Sequence, residues 1–403
     1  MPVKQFVEEK IQGGRSWLTM ATAAASPGWP DLPMDILLEI LRLLECTDLM
    51  RCAATGTRAY CDLRRRGIAG SRQTPCLIYR PEATGLNAIG MYCLSEKRPY
   101  VIPIPDPPIS EWHWFGSSDG WLMTADCRSD IILLNPITGR QIALPPAITM
   151  EHVKPVMNEE GILQMYEVSF YDARNPSLEH TEPGTYSLEE YHDDYIAVLV
   201  HGPYDQLSFA KVGGNTWNWL AVDFFLVDCI YHDGWFYAGR NSCLNLHGPC
   251  VVHKTIFPRI QQYNMNQEYI VRAPWGDLLQ IYRTMDGIRG EQPDNQVVRT
   301  LGFRVYKISL DEQKLVMMTG IGDHALFVGQ NASVCLSVKD HPTLMLNHVY
   351  FTDDDFETLF CDKSSRRDVG VCNIENYTVT RVVCPELWMY SLPPIWLTPS
   401  LIG

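Results

Sequence analysis

Positive charge is scarce in this 403-residue sequence: 33 Lys and Arg stand against 47 Asp and Glu, a net charge of −14. Nearly all of the surplus lies after residue 70, because residues 29–70 carry six acids and six bases. A phosphate backbone is repelled on average by such a chain, so nonspecific nucleic-acid binding is excluded. The basic cluster RRR at 64–66 reads as a helix C-terminus complementing its dipole. Long apolar runs are also missing. None approaches ~18 residues, so no membrane span is expected. The opening MPVKQFVEEKIQGG is too polar for a secretory signal. Thirteen cysteines are present, but no C-x-x-C pairs them. Reduced thiols in the nucleus or cytoplasm are therefore expected, and the sequons at Asn331 and Asn376 read as chance matches. There is no Walker or G-x-G-x-x-G signature. No long amphipathic helix follows residue 70, which argues against βαβ architecture.

What is present begins with a compact helical block, WPDLPMDILLEILRLLECTDLMRCAATG, over residues 29–56. Pro33 suits the first turn of a helix and Asp31 is placed to cap it. Polar residues fall at Asp35, Glu39 and Arg42, one narrow stripe. Ile36, Leu37, Leu38, Ile40, Leu41, Leu43 and Leu44 wrap the rest. Thr47-Asp48 caps a second short helix from Leu49, and Thr57 a third, stopped by Gly67. Three short helices cannot bury that much apolar surface among themselves. Each Leu or Ile left wet forfeits ~1.5–3 kcal/mol. Another protein, or the rest of this chain as a helical cap on it, must cover the excess.

The remainder reads as strands punctuated by turns. SDGWLMT (118–124) and HDGWFYA (232–238) share one design, an Asp-Gly turn followed by an aromatic strand. Their Asp residues, 119 and 233, fit a repeat of roughly 40–50 residues. IILLNPITGRQIAL predicts a hairpin. Further strands are expected at 275–283, 303–310, 324–329, 348–355 and 369–382. Evenly spaced short strands of this kind suit a β-propeller, with a pair of β-sandwiches as the alternative. PPIWLTPSL (393–401) is expected to be ordered near the start of the propeller, because Trp396 is costly to leave wet.

Several constellations resemble chemistry. GSSDG places Ser118 in a G-x-S-x-G pattern, but no helix follows, so it reads as a hairpin turn. Cys243, His247, Cys250 and His253 offer four metal ligands within eleven residues, too crowded for a structural zinc site. TDDD (352–355) lacks the Gly and distant Glu of a calcium loop and reads as a solvated acidic turn. Trp112, Trp114, Trp217 and Trp219 read as propeller core. No metal, cofactor or catalytic residue is therefore expected.

Two resemblances follow from these residues. LPMDILLEILRLLECTDLMRC resembles the F-box, through Leu32, Pro33, Asp35, Ile36, Leu37, Ile40, Leu41, Leu44, Asp48, Leu49 and Arg51. The chain departs from that family at AATGTRAYCDLRRR, where a Val-Cys pair and a Trp are missing. GSSDGWLMTADCRSDIILLNPITGRQIALPP, YHDGWFYA, APWGDLLQIYR, FRVYKISLDEQKLVMM, GDHALFVGQNASVCLSV, NHVYFTDDD and PPIWLTPSL, in that order, resemble the KIB-type domain of plant F-box proteins. The resemblance implies a mainly β chain: a disordered N-terminus (1–28), a short all-α F-box of three helices (29–70) and a β-propeller-like domain (71–403). It also implies a non-catalytic substrate receptor of a Skp–cullin–F-box ubiquitin ligase. Leu32, Pro33, Ile36, Leu37, Ile40, Leu41, Leu44 and Leu49 would hold the Skp-type adaptor, and the propeller an unknown protein target. The alternatives are an F-box-like scaffold without a ligase role and a propeller hydrolase, which would need paired carboxylates ~5–9.5 Å apart.

Overall fold

The computed structural model describes residues 33, 35, 36, 39, 40, 44 and 48, then 73–81, 88–104, 113–126, 129–161, 163–168, 186–191, 194–201, 206–220, 228–238, 242–245, 252–255, 267–288, 297–354, 367–382, 387–388 and 393–400. The chain divides into one unit of residues 1–74 with 399–403 and a second of residues 75–398.

In the first unit, Asp35, Ile36, Glu39, Ile40 and Asp48 have helical backbone. The all-α block of three helices expected over 29–70 is not seen as such. Among the described residues α-helix is confined to these five positions; Pro33 and Leu44 are not helical, and the rest of the block lies outside the described residues. Gln73 Nε2 donates to the Leu44 carbonyl at 2.8 Å.

The second unit is built of strands. The first sheet contains β1 (Cys76–Tyr79), β2 (Ala88–Cys93) and β3 (Arg98–Pro103). The second is β4 (His113–Ser118), β5 (Trp121–Ala125), β6 (Ile131–Leu134) and β7 (Gln141–Ala143). A 3-10 turn (Ala147–Thr149) and a separate hairpin, β8 (Val153–Met157) with β9 (Leu163–Val168), follow. The third sheet is β10 (Tyr186–Tyr191), β11 (Asp194–His201), β12 (Gln206–Lys211) and β13 (Asn218–Leu220). The fourth is β14 (Cys229–His232), β15 (Trp235–Ala238), β16 (Ser242–Asn245) and β17 (Val252–Thr255). The fifth is β18 (Gln267–Arg272), β19 (Leu278–Ile288), β20 (Val297–Ser309) and β21 (Lys314–Met318). The sixth holds β22 (His324–Val328), β23 (Val334–Ser337), β24 (His348–Phe351), β25 (Gly370–Asn373) and β26 (Val379–Arg381). The last strand, β27 (Ile395–Leu397), returns to the first sheet and pairs antiparallel with β1, Trp396 facing Leu77.

These sheets form a propeller. The leading strands touch in sequence: β27 against β4, β4 against β10, β10 against β14, β14 against β18 and β18 against β23. The ring shuts where Phe327 of β22 meets Trp396 of β27 edge-on, centroids 5.2 Å apart. Apolar clusters fill the gaps between neighbouring sheets. Trp121, Leu133, Leu199 and Trp217 join the second to the third, and Leu279, Phe303, Leu326 and Phe351 the fifth to the sixth. Leu77, Tyr92, Phe327 and Trp396 join the sixth to the first. Burial of both sheet faces is what makes strands of near-continuous apolar residues stable here.

The two Asp-Gly turns form as the sequence predicts. Asp119 and Gly120 sit at φ 48° and 85°, and Asp233 and Gly234 at the same values. Left-handed backbone at both central positions is the primed turn that matches strand twist. Ser118 ends β4 at such a turn, as expected. The predicted 131–144 hairpin is β6–β7. Trp114 and Trp217 are buried core, and Trp219 packs against His152. Trp112 lies outside the described residues. The sixth sheet breaks the simple meander: β23 turns inward and the chain then crosses to β24, which runs parallel to β22.

Candidate functional site: an axial cavity and the clasp beside it

Where the leading strands converge, a cavity of about 300 Å³ opens. The β4–β5 turn supplies Ser118 and Asp119, the end of β18 supplies Arg272, and the β22–β23 loop supplies Asn331; Phe327 and Trp396 form apolar wall. Asp119 and Arg272 are the carboxylate and the cation among its described lining residues.

The β22–β23 loop is pinned from several sides. It starts at Gly329, φ 148°, where a Cβ would come within 2.0 Å of Thr352 Oγ1. Only glycine fits that approach. Ala332 N donates to the Ser117 carbonyl at 2.8 Å, and Ser117 Oγ donates to the Trp396 carbonyl. Ser333 Oγ donates to Asp228 Oδ2 at 2.8 Å, and the same carboxyl accepts from Ile270 N and Cys229 N. Burial pushes Asp228 up to about 7, against the pull of those hydrogen bonds. Burial also pushes Cys335 up to about 12, so this cavity thiol stays protonated and is no nucleophile at neutral pH.

Two residues of the lining each carry a buried polar atom with no hydrogen-bond partner among the described residues, Asn331 Oδ1 and Trp396 Nε1, and neither atom presents surface to solvent. Asn331 is 4% exposed and Trp396 1%. Asn331 Nδ2 is satisfied by the Ala332 carbonyl at 2.8 Å, so only its oxygen is left over. The Ser117, Ser118 and Ser333 hydroxyls are committed to Trp396, Asp119 and Asp228.

The acidic stretch 352–355 is a correction. It was expected as a solvated turn, but Thr352, Asp353 and Asp354 are buried. The reason is Arg283 on β19, 1% exposed. Its Nη1 donates to Asp354 Oδ1 and the Thr352 carbonyl, both at 2.8 Å. Its Nη2 reaches Asp368 Oδ2 at 3.0 Å and its Nε reaches Thr300 Oγ1 at 2.8 Å. The guanidinium also lies over the Phe351 ring, 4.8 Å from its centroid. Burial opposes its charge, but Tyr269, Asp354 and Asp368 hold it protonated. Asp353 stands next to this clasp, and burial pushes its carboxyl up to about 7. These carboxylates tie the sixth sheet to the fifth and are spent on structure. The hydrolase reading is left without a carboxylate pair among the described cavity residues.

Of the adaptor-binding candidates, Pro33 is exposed, Ile36 is helical and 46% exposed, Ile40 is half-buried, and Leu44 is 4% exposed. Leu32, Leu37, Leu41 and Leu49 lie outside the described residues. So do His247 and Cys250 of the metal candidate; Cys243 and His253 fall on neighbouring strands, β16 and β17. Among the described residues, no cluster could hold a metal ion. Cys76, Cys93, Cys229, Cys335 and Cys372 are buried and form no disulfide among the described residues. The sequence did not single out Arg272. Asn331 was noticed only as a sequon, and its burial keeps its amide from a glycosylating enzyme in the folded chain.

The chain is similar in sequence to several F-box proteins. A probable F-box protein of Arabidopsis thaliana is 21% identical over 88% of this chain and 91% of its own length. Another is 22% identical over 93% of this chain and 97% of its own. An F-box/kelch-repeat protein of the same plant is 23% identical over 81% and 83%. The strand order, the Asp-Gly turns and the closing Trp396 strand all fall in or beside a match to one described family, the KIB1-4 beta-propeller, over residues 91–373, and the chain belongs to it.

Proposed function

We propose that this chain is the substrate-recognition subunit of a Skp–cullin–F-box ubiquitin ligase. The observation that carries the proposal is the coupling of an F-box-like block to a family propeller in one chain whose relatives are named F-box proteins. The block binds the Skp-type adaptor, and through it a cullin–RING ligase, in the nucleus or cytoplasm. The propeller binds a protein target. The chain performs no chemistry; it raises the concentration of the target beside the ubiquitin-loading enzyme.

The test is adaptor affinity of the double variant Leu32→Ala/Pro33→Ala. Loss of apolar contact and of the rigid helix entry should cost roughly 2–4 kcal/mol, about 30- to 1,000-fold in Kd. Thermal unfolding of the propeller should not change. Unchanged affinity would remove the F-box assignment. Global unfolding would show instead that the helical block is built into the β unit.

A further inference from the structure

We propose that Cys76 and Cys93 are an oxidation-sensitive pair, which hydrogen peroxide converts reversibly into a disulfide across β1 and β2. The proposal is independent of the ligase reading.

The first argument is register. Cys76 of β1 stands directly opposite Cys93 of β2. Directly opposed residues of antiparallel strands have Cα atoms ~4.5 or ~5.5 Å apart. A disulfide takes a Cα separation of ~4.4–6.8 Å. Alternation sends Leu77 and Tyr92 into the ring-closing cluster, so Cys76 and Cys93 share the other face of the sheet. The strand pairing has already brought the two thiols into hydrogen-bond contact. Cys229, Cys335 and Cys372 instead have Ala238, Leu326 and Val349 opposite them.

The second argument is the surroundings of Cys93. Hydrogen bonds from the Cys76 thiol, the Ser95 hydroxyl and the Glu96 backbone N–H lower its thiol to about 6, against the effect of burial. Ser95 Oγ lies 3.1 Å from Cys93 Sγ. Glu96, whose charge opposes a thiolate, is itself occupied by the Tyr100 hydroxyl. Cys335 and Cys372 are pushed the other way by burial, to about 12 and about 11. The thiolate is the attacking form, and a redox-sensing cysteine pairs low pKa with a resolving thiol beside it. Cys93 is 3% exposed, and it lies under the turn 94–97, where Ser95 is half-buried and Lys97 exposed. Local opening of that turn admits a molecule little larger than water.

The chemistry balances with hydrogen peroxide as oxidant. Cys93 Sγ attacks one peroxide oxygen, the O–O bond breaks, and the departing hydroxide takes the thiol's proton and leaves as water. Cys93 is then a sulfenic acid. Cys76 Sγ attacks that sulfur, the S–O bond breaks, and the Cys76 proton leaves with the hydroxyl as a second water. Two electrons pass from the two sulfurs to the peroxide, and a dithiol reductant returns them. The bond ties β1, which carries the closing strand β27, to β2.

The test treats the folded, reduced full chain with increasing hydrogen peroxide. Remaining thiols are blocked with iodoacetamide in denaturant, and peptides are read by mass spectrometry without reduction. The peptides joined through Cys76 and Cys93 should be the first oxidation product, and dithiothreitol should restore both thiols. Cys76→Ser should leave Cys93 as a sulfenic acid that dimedone traps. Cys93→Ser should slow oxidation of Cys76 by about tenfold or more. Absence of the Cys76–Cys93 link at a dose that oxidises other cysteines would overturn the proposal. So would a link equally abundant when the chain is oxidised in urea, or Cys76 oxidation undiminished in Cys93→Ser. The wild-type link is read without any variant, so a Ser variant that folds poorly leaves the test intact.

Discussion

Arg283 holds more of the molecule together than its position in the sequence suggests. It lies inside IYR, the end of an ordinary strand motif, and its partners Asp354 and Asp368 are 71 and 85 residues away. No local pattern links them, which is why TDDD was read as a wet turn. A buried ion pair gives little net stability when intact, but breaking one side strands the other charge in the interior. Asp354→Ala should therefore lower unfolding free energy by about 3–5 kcal/mol, read from urea denaturation; a loss below about 1 kcal/mol would mean the clasp is solvated. Asp228 carries a pH signature. Its folded pKa, about 7, lies above its ordinary 3.8, so the folded chain holds the proton more tightly than the unfolded chain. That stabilisation is complete below about pH 4 and is lost as pH rises through about 7. Asp353, also raised to about 7, acts in the same direction. The carboxylates held low by lysines, Asp277 by Lys307 and Asp323 by Lys339, change only at lower pH, and the Cys93 thiol, lowered to about 6 by its hydrogen bonds with Cys76 and Ser95, acts the other way only above about pH 6. Urea midpoints should fall between about pH 4.5 and pH 6, and Asp228→Asn should flatten part of that slope. A midpoint that rises over this window would contradict the assignment.

Among elements, the legible ones are those whose signal is local. An Asp-Gly pair between aromatic strands demands left-handed backbone, and both such turns form it. The 131–144 hairpin and the strands at 303–310, 324–329 and 369–382 appear where alternation and turn residues put them. The closing strand was legible for an energetic reason: Trp396 between prolines had to be covered. It is, by Phe327, Tyr350 and the β1 pairing. What stayed hidden depends on pairing at a distance, such as the parallel β22–β24 step of the sixth sheet. The β8–β9 hairpin was also unread; it shows Met157 and Met165 to solvent, so burial leaves no mark on its sequence. Trp396→Ala should cost about 3–5 kcal/mol, because the cavity it leaves sits where the ring shuts. Proteolytic removal of residues 391–403 should likewise lower the melting temperature. Survival of that temperature after trimming would mean that β27 is an ornament on a ring closed elsewhere.

At the scale of the whole molecule, the two ends of the propeller meet without help from the helical block. β1 begins at Cys76 and β27 ends at Leu397, and both lie in the unit spanning residues 75–398. The sequence conveyed this division through its charge and its period: a balanced, helix-patterned stretch before residue 70 and an acidic, strand-patterned stretch after it. It conveyed the cavity poorly, because a site on the ring axis gathers residues from several sheets: Asp119, Arg272, Asn331 and Trp396 share no local motif. A ring whose sheets each pack on two neighbours gains its last interfaces only when the first and final strands pair, so it should unfold as one cooperative body. A fragment of residues 73–400 contains all six sheets and the Trp396 closure. Its melting temperature should lie within about 2–4 °C of the full chain, the shift that roughly 1 kcal/mol produces in a domain of this size or smaller. It should lose adaptor capture altogether. A fragment that aggregates or melts far lower would place residues 1–72 inside the β core's stability, and the apolar surplus of the helical block would then be covered by this chain rather than by a partner.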